Sequence, residues 1–344
     1  IPRPDLPPVS ELSAKLGKLH LRYLLKHLRD DGTFYSAYQP FHNRLLEYVD
    51  VARLAHGAWV LSRTEEKDAA RRVIDSLVEK LVHENGEVWL TRDNENPSVA
   101  ELSFLLLALS NLPENDPRRS LLQDLANTLW RCVELPHGRI RTHKNPDTPS
   151  LDAFQDYFPG QVLLALATAC EANVSTIDEE RLRRSFQYYR HRFRYKRHFG
   201  QVTWLLQAFS KWWQVTGEKQ FADMVFEIAD WLLGYQQDKT GAFINDHQSN
   251  TPGYTTAVYL EGIAAAVPVA GALDRDRYQT YCDSFARGLA FVDQLIIQER
   301  DRAILPNLDF ALGGLRQGLY YSEIRTDFVQ HSLSAILEFS QGSI

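Results

Sequence analysis

The chain has 344 residues, 44% of them apolar and 24% charged, and a formal net charge of −6. These totals are typical of a globular protein with one large domain or two smaller ones. The acidic balance disfavours nucleic acid as a partner, and the apolar stretch around Pro268 is too short to predict a membrane-spanning helix. Three widely spaced cysteines without a CxxC pair predict buried free thiols, and exclude a disulfide framework or a zinc knuckle.

Six amphipathic segments recur along the chain, the first after an expected extended N-terminal segment, residues 1–9. Their apolar residues repeat at helical spacing, which indicates helices with one buried side. In 179–193 the apolar stripe consists of Leu182, Phe186, Tyr189 and Phe193. The six segments are 10–29, 66–83, 117–134, 179–193, 219–236 and 275–298.

Six other segments are apolar over most of their surface, as buried helices are. They are VARLAHGAWVL (51–61), ELSFLLLALS (101–110), GQVLLALATAC (160–170), GQVTWLLQAFSKW (200–212), AVYLEGIAAAV (257–267) and FVQHSLSAILEF (328–339). The apolar and amphipathic helices alternate, and the last apolar helix, 326–340, can supply the partner of the first amphipathic one. The alternation predicts an all-α fold, an (α/α)6 toroid of inner and outer helices that forms a single domain over residues 1–344.

Glycine turns recur in step with the helix pairs. Four glycines, each two positions before an apolar residue, return at intervals of about 50 residues with one interval doubled. They are Gly32, Gly86, Gly138 and Gly241. RHRFRYKRHFG (190–200) provides a compressed link in place of the missing turn, and ERDRAIL (299–305) is expected to provide a glycine-less sixth turn. The turns open long links into the inner helices, so we expect one functional face with short β-hairpins in its loops.

The paired-helix period, the turns DGTF (31–34) and TGAF (240–243), and the phrase DYFPGQVLLALATACE (156–171) resemble the six-hairpin glycosidase-like superfamily. That group includes toroidal glycoside hydrolases, unsaturated glucuronyl hydrolases and N-acylglucosamine 2-epimerases. The resemblance covers nearly the whole chain and implies a toroid that acts on carbohydrate. The chain lacks the HDxGF phrase of glucuronyl hydrolases and an epimerase signature, so the resemblance assigns no catalytic residue.

The last inner helix opens with the densest polar cluster, EIRTDFVQHSLSA (323–335). Asp327 and His331 are four residues apart, so the carboxylate can orient the imidazole for general acid–base catalysis. Helix capping by Asp327 is the structural alternative. Arg325 and Gln330 are expected to bind substrate beside this pair.

The first inner helix places Asp50, Arg53 and His56 at steps of three, on one face. We expect His56 to be catalytic and the other two to bind substrate. A hydrogen-bonded structural network is the alternative, since unpaired buried charge is costly.

The other inner helices offer Asp156 and Glu261 as catalytic carboxylates. Glu261 interrupts a run of Ala, Val, Leu and Ile, so its side chain should face the pore or a partner. Polar and aromatic residues near these helices are expected to bind substrate, because sugar rings stack on aromatic faces. They are Tyr157, His198, Tyr259 and Trp89.

Three functions fit these residues. The leading one is a carbohydrate-active enzyme that uses acid–base chemistry, with two of Asp156, Glu261 and Asp327 hydrolysing a glycosidic bond. The second is a sugar epimerase or isomerase with paired bases, for which His56, His198 and His331 are candidates. The third is a non-catalytic glycan- or peptide-binding domain of a larger biosynthetic protein.

The arginine-rich run 181–197 is interpreted mainly as the solvated face of an outer helix. Arg194, Lys196 and Arg197 lie in the link to the next inner helix and could attract an anionic sugar. The sequence therefore predicts a carbohydrate or other small polar substrate, and no nucleic acid or membrane partner. It predicts no metal and no cofactor, and a soluble protein of the cytoplasm or periplasm.

Overall fold

The computed structural model describes residues 8–47, 50–91, 96–146, 151–244 and 251–342. The chain forms two compact units. Unit 1 comprises Ile1–Asp50 and Phe226–Ile344, and unit 2 comprises Val51–Val225. The prediction of one domain over the whole chain stays a prediction.

The described residues are mainly helical. In chain order the α-helices are α1 (Val9–His27), α2 (Val51–Ser62), α3 (Lys67–Val78), α4 (Val99–Ser110), α5 (Leu122–Cys132), α6 (Leu151–Phe154), α7 (Phe158–Glu171), α8 (Glu179–Tyr195), α9 (Phe199–Thr216), α10 (Lys219–Leu233), α11 (Thr255–Leu273), α12 (Arg275–Leu295), α13 (Leu308–Ala311) and α14 (Thr326–Gly342). The 3₁₀ turns are Pro40–His42, Pro117–Leu121 and Glu299–Asp301. The extended segment was expected to cover residues 1–9, but α1 already begins at Val9. Residues 1–7 of that segment lie outside the described part.

Among the described residues, five short strands lie in the long links, as the expected hairpins require. They are β1 (Ala37–Gln39), β2 (Arg44–Leu46), β3 (Leu81–Glu84), β4 (Glu87–Leu90) and β5 (Ile324–Arg325). In unit 1, β1 pairs antiparallel with both β2 and β5. In unit 2, β3 and β4 form a hairpin around Gly86.

In unit 2 the apolar helices α2, α4, α7 and α9 pack one against the next in chain order. The amphipathic helix α8 buries the predicted stripe, because Leu182, Phe186, Tyr189 and Phe193 are all less than 5% exposed. Its first turn is capped by Asp178, whose carboxylate accepts from the backbone N–H of Arg181 at 3.0 Å.

In unit 1 the apolar helix α11 packs against α12 and α14, and α14 packs against α1. The last apolar helix therefore supplies the partner of the first amphipathic one, as predicted. Asp274 caps α12 as Asp178 caps α8, accepting from the backbone N–H of Arg277 at 3.0 Å.

The predicted turn glycines share one conformation. Gly32, Gly86, Gly138 and Gly241 have φ of 79°, 74°, 71° and 78°, the left-handed region in which glycine is favoured. The sixth turn is at Gly313, with φ of 85°, and the expectation that ERDRAIL forms it is wrong. ERDRAIL begins with a 3₁₀ turn, Glu299–Asp301, inside a longer insertion.

Within the described residues, α11 is the one helix that passes a test for membrane-spanning length and hydropathy, in contrast to our expectation from the sequence. It has 19 residues, but 72% of its most apolar stretch is buried inside the structure. A buried core helix passes the same test. Cys132 and Cys170 are buried free thiols as predicted, whereas Cys282 is partly exposed.

Candidate active site

Glu261 of α11 and His331 of α14 form a hydrogen-bonded pair in unit 1. The Nδ1 atom of His331 lies 2.8 Å from Oε2 of Glu261, and the other carboxylate oxygen accepts from the hydroxyl of Ser334. The Glu261 side chain is fully buried, whereas that of His331 is 16% exposed. Two donors therefore compensate the burial of the carboxylate, and the imidazole ring remains partly accessible.

Three contacts along α11 and α14 fix the relative direction of these helices. Tyr254, just before α11, stacks on Phe328 with ring centroids 3.6 Å apart. Glu261 contacts His331 further along, and Pro268 contacts the position of Gly342 near the end of α14. The residue numbers of both helices rise together, so the helices are parallel. Their N-terminal halves bring Glu261 and His331 together.

Asp327 is bound by Arg325, two residues earlier in the chain. The guanidinium of Arg325 donates to both carboxylate oxygens, at 2.9 and 2.6 Å. It also lies over the ring of Phe328, 4.7 Å from the centroid. The prediction that Asp327 orients His331 is corrected in this respect: Glu261, seventy positions earlier in the chain, is the carboxylate bonded to Nδ1.

The other predicted site residues of unit 1 differ in their burial and contacts. Gln330 is 1% exposed, and its Oε1 atom has no hydrogen-bond partner among the described residues. Tyr259 is buried with its ring 5.8 Å from that of Phe243. Asp50 precedes α2 by one residue and is half-buried. Their expected roles in substrate binding stay predictions.

In unit 2, Asp156 is the centre of a second polar cluster. One of its carboxylate oxygens accepts from Nε of Arg192 at 2.9 Å and from Nε2 of Gln201 at 2.8 Å. Asp152, an exposed residue, also pairs with Arg192 at 3.3 Å. A buried carboxylate fixed by a guanidinium and an amide has few orientations, which suits a positioning role.

His198 and Tyr157 complete this cluster. His198 caps α9, because its Nδ1 accepts from the backbone N–H of Gly200 at 3.1 Å. The same atom lies 3.8 Å from Asp156. Burial, and secondly the charge of Asp156, raise the pKa of Tyr157. A side chain at Gly200 would collide with the ring of Tyr157, so glycine is required for this packing.

The remaining predicted residues of unit 2 have contrasting surroundings. His56 is 3% exposed and lies among the rings of Phe104, Trp59 and Trp204 at 4.8 to 5.8 Å. Arg53, one turn earlier on α2, is half-buried. Trp89 is completely buried, and its indole N–H donates to Glu87 at 2.9 Å. No face of Trp89 is presented for sugar stacking.

Two contacts were missed by the sequence analysis. Ser334 follows His331 by three residues, a spacing that places both on one helix face and could have revealed it. Arg192 belongs to the run interpreted as a solvated face, yet its side chain is only 17% exposed and pairs with Asp156. No sequence signal separates Arg192 from its neighbours.

No protein-family model matches the sequence, and no curated protein matches it. Solved structures do match it over nearly their whole length. One is the cellobiose 2-epimerase from Bacillus thermoamylovorans, with a TM-score of 0.73 at 12% identity, covering 97% of this chain and 98% of that one. Another is a D-mannose isomerase, with a TM-score of 0.69 at 14% identity, covering 99% and 100%.

A third match is the unsaturated glucuronyl hydrolase from a Bacillus species, with a TM-score of 0.66 at 15% identity, covering 97% of each chain. These identities are low enough that the similarity concerns the fold alone. The expected alternation of apolar and amphipathic helices is confirmed by this similarity and by the helix order. The chain therefore has the (α/α)6 toroid fold of these proteins.

Proposed function

We propose that the protein is a carbohydrate-active enzyme that acts by acid–base chemistry at His331. The observation that carries the proposal is the Glu261–His331 pair, with the carboxylate fully buried and the imidazole partly exposed. A carboxylate that accepts from Nδ1 fixes the orientation of the ring. Proton exchange with a sugar then takes place through Nε2.

The similar structures support a sugar as the substrate. Their names describe enzymes that epimerise, isomerise or hydrolyse saccharides. Because these reactions differ, the fold does not choose among them. The choice depends on which groups of this chain are placed to transfer protons.

Hydrolysis of a glycosidic bond requires two carboxyl groups, one as acid and one as base or nucleophile. In unit 1, both predicted carboxylates already have strong partners. Glu261 is bonded to His331 and Ser334, and Asp327 forms a bidentate pair with Arg325. These bonds hold both carboxylates in position, and hydrolysis would require one of the two groups to be protonated.

Epimerisation or isomerisation is the second candidate, and the Glu261–His331 pair specifically favours it. Such a reaction removes a proton from the carbon next to a carbonyl group and returns a proton to the sugar. In isomerisation, one oriented imidazole can accept the first proton and donate the second on the same face of the intermediate, whereas epimerisation at one carbon also needs a second acid–base group on the opposite face. Arg325 is 23% exposed and holds the carboxylate of Asp327 four residues before His331.

The test is product analysis with a panel of aldoses, ketoses and reducing oligosaccharides. We expect a new sugar isomer from at least one substrate, or new reducing ends if the reaction is hydrolysis. His331→Ala is expected to lower kcat by about 100-fold or more, since a general acid–base group contributes roughly that much. The matched control is His137→Ala, at an exposed histidine of unit 2, which should retain the wild-type rate.

A wild-type protein that changes none of these sugars would contradict the proposal. Tight glycan binding with no turnover would indicate the binding-domain alternative. Full activity in His331→Ala would reject this residue as the acid–base group.

A further inference from the structure

A short hairpin connects the candidate site to an exposed aromatic tip. The backbones of Arg316 and Ile324 form an antiparallel β-bridge, and the backbone N–H of Gln317 donates to the carbonyl of Glu323 at 2.8 Å. Gly318 and Tyr321 then exchange backbone hydrogen bonds of 3.3 and 3.4 Å across the turn. The hairpin, residues 316–324, leads through β5 directly into α14.

The hairpin is also attached to the start of α11. Gly318 bridges Gly253, and the backbone N–H of Tyr254 donates to the carbonyl of Gln317 at 3.0 Å. A side chain at Gly253 would collide with that same carbonyl. The tip is therefore held beside the N-termini of the two helices that carry Glu261 and His331.

Two tyrosines at this tip are exposed without a local structural reason. Tyr320 is 85% exposed and Tyr321 is 57% exposed. Neither side chain makes a hydrogen bond or ring contact with the residues that the structure describes. Because the two exposed rings are adjacent, they form a contiguous apolar surface, and such surfaces can mark a binding site.

A third aromatic ring lies at the same end of the small sheet. Tyr38 of β1 pairs with Ile324 of β5. Phe41 follows Tyr38 by three residues, and Tyr321 precedes Ile324 by three residues. Because β1 and β5 are antiparallel, Phe41 and Tyr321 both lie beyond the same end of the two paired strands. Phe41 is 46% exposed.

The chemistry of the tip fits a sugar ring. An aromatic side chain buries at most about 250 Å², an area on the scale of contact with one ring of a saccharide. A tyrosine has an apolar face and a polar edge, which matches a sugar ring with C–H groups on its faces and hydroxyls at its rim. The hydrogen-bonded turn holds the rings in place, so little ordering is needed on binding.

The separation from the reacting groups suggests the length of the substrate. Glu261 lies about 9 Å along α11 from its first residue, and the hairpin is attached at Gly253 and Tyr254, which precede that residue. A sugar that reacts at His331 therefore reaches the tip only if it continues as a chain.

We propose that Tyr320 and Tyr321 stack on a distal sugar ring, so that the enzyme prefers an oligosaccharide or glycan chain end over a free monosaccharide. This inference rests on the proposed function. The two tyrosines determine specificity and take no part in proton transfer.

The experiment compares kcat/KM for a series of gluco- and manno-oligosaccharides, from mono- to hexasaccharide, in the wild type and in the double variant Tyr320→Ala/Tyr321→Ala. We expect a loss of about tenfold for the longer members, mainly in KM, since each stacked ring contributes modestly. Monosaccharide turnover should stay within about twofold. The control is Tyr195→Ala, at a tyrosine of α8 that is 86% exposed and should show no length dependence.

Equal kcat/KM in the wild type and the double variant for every chain length would overturn this proposal. So would a loss of the same size for mono- and oligosaccharides. A wild type that turns over monosaccharides but no oligosaccharide of the series would also overturn it. Monosaccharide turnover tests the proposed function separately, so the two failures are distinguishable.

Discussion

Glu261 shows how a buried charge is tolerated in an apolar helix. An unpaired carboxylate would be costly there, but its two oxygens accept from His331 and Ser334. The same bonds turn Nδ1 of the imidazole towards α11. The same hydrogen bonds therefore stabilise the buried carboxylate of Glu261 and orient the imidazole of His331.

Ser334→Ala tests this arrangement at the level of one hydrogen bond. Loss of the hydroxyl leaves one oxygen of Glu261 without its donor, so we expect about 1–3 kcal/mol less stability and a kcat lowered by roughly tenfold with little change in KM. Urea unfolding and steady-state kinetics measure the two effects. Ser340→Ala, which removes only a hydroxyl bonded to the carbonyl of Ile336 on the same helix, is the control. Equal behaviour of both variants would contradict a positioning role for Ser334.

The sequence could identify these residues singly but not as a pair. Glu261 and His331 stand out because each is polar in a largely apolar helix. Which helices are neighbours, and how each is rotated, depends on packing across the whole unit. The closest carboxylate along the chain, Asp327, was therefore chosen, although Arg325 two residues earlier is its partner.

At the scale of the element, two glycine turns that follow outer helices pack closely against the backbone of the next outer helix. Gly241 has φ of 78°, and a Cβ there would lie against the backbone carbonyl of Arg287 on α12. Gly138 faces the backbone of Arg184 on α8 in the same manner. Glycine is needed at these turns for its conformation and for its small size.

Gly241→Ala separates these two requirements when it is compared with Gly217→Ala. Gly217 has φ of 71°, but a Cβ at that position would have no atom within 4 Å among the described residues. We expect Gly217→Ala to cost about 1–2 kcal/mol from backbone strain alone, and Gly241→Ala to cost at least twice as much because the helices must also separate. Chemical denaturation of both variants measures the difference. Equal costs would show that close packing at Gly241 is unimportant.

The period of these turns made the helix order predictable. Apolar and amphipathic segments were assigned within a few residues because hydrophobic periodicity is set locally. The sixth turn was misplaced, since the insertion that contains Glu299–Asp301 and α13 delays its glycine to Gly313. The insertion therefore lengthens one interval between turn glycines, while the order of the helices stays the same.

On the scale of the whole molecule, two buried histidines make stability sensitive to mild acid. Burial lowers the pKa of His20 to about 4, although a hydrogen bond to the Gly313 carbonyl opposes the shift. Burial also lowers the pKa of His27 to about 4, opposed by a bond to the Tyr23 carbonyl and assisted by the charge of Lys26. The Nε2 atom of each ring is buried without a hydrogen-bond partner among the described residues.

Both rings are neutral in the folded protein and take up protons more readily when unfolded. Their contribution is fully present above the unfolded pKa of about 6.5 and is lost as pH falls towards 4. We expect the free energy of unfolding at pH ~5 to be lower than at pH ~7 by about 2 kcal/mol per histidine. Urea titrations at the two pH values test this, and His20→Gln should show the smaller difference. The exposed His137→Gln is the control; an unchanged pH dependence in His20→Gln would contradict the assignment.

Acidic side chains do not account for a loss of folding stability in this pH range. A backbone hydrogen bond from Arg277 holds the pKa of Asp274 below its usual value, so stability from such groups is lost only at lower pH. The loss between about pH 6.5 and 4 should therefore come mainly from the buried histidines.

Proton exchange between solvent and a sugar carbon tests the Glu261–His331 pair most directly. The protein is incubated in deuterium oxide with the substrate found in the product analysis, and deuterium beside the carbonyl carbon is followed by nuclear magnetic resonance. For an epimerase or isomerase reaction, the proposed acid–base role predicts incorporation by the wild type and a loss of about 100-fold or more in both His331→Ala and Glu261→Ala. Incorporation at the wild-type rate in His331→Ala would contradict it.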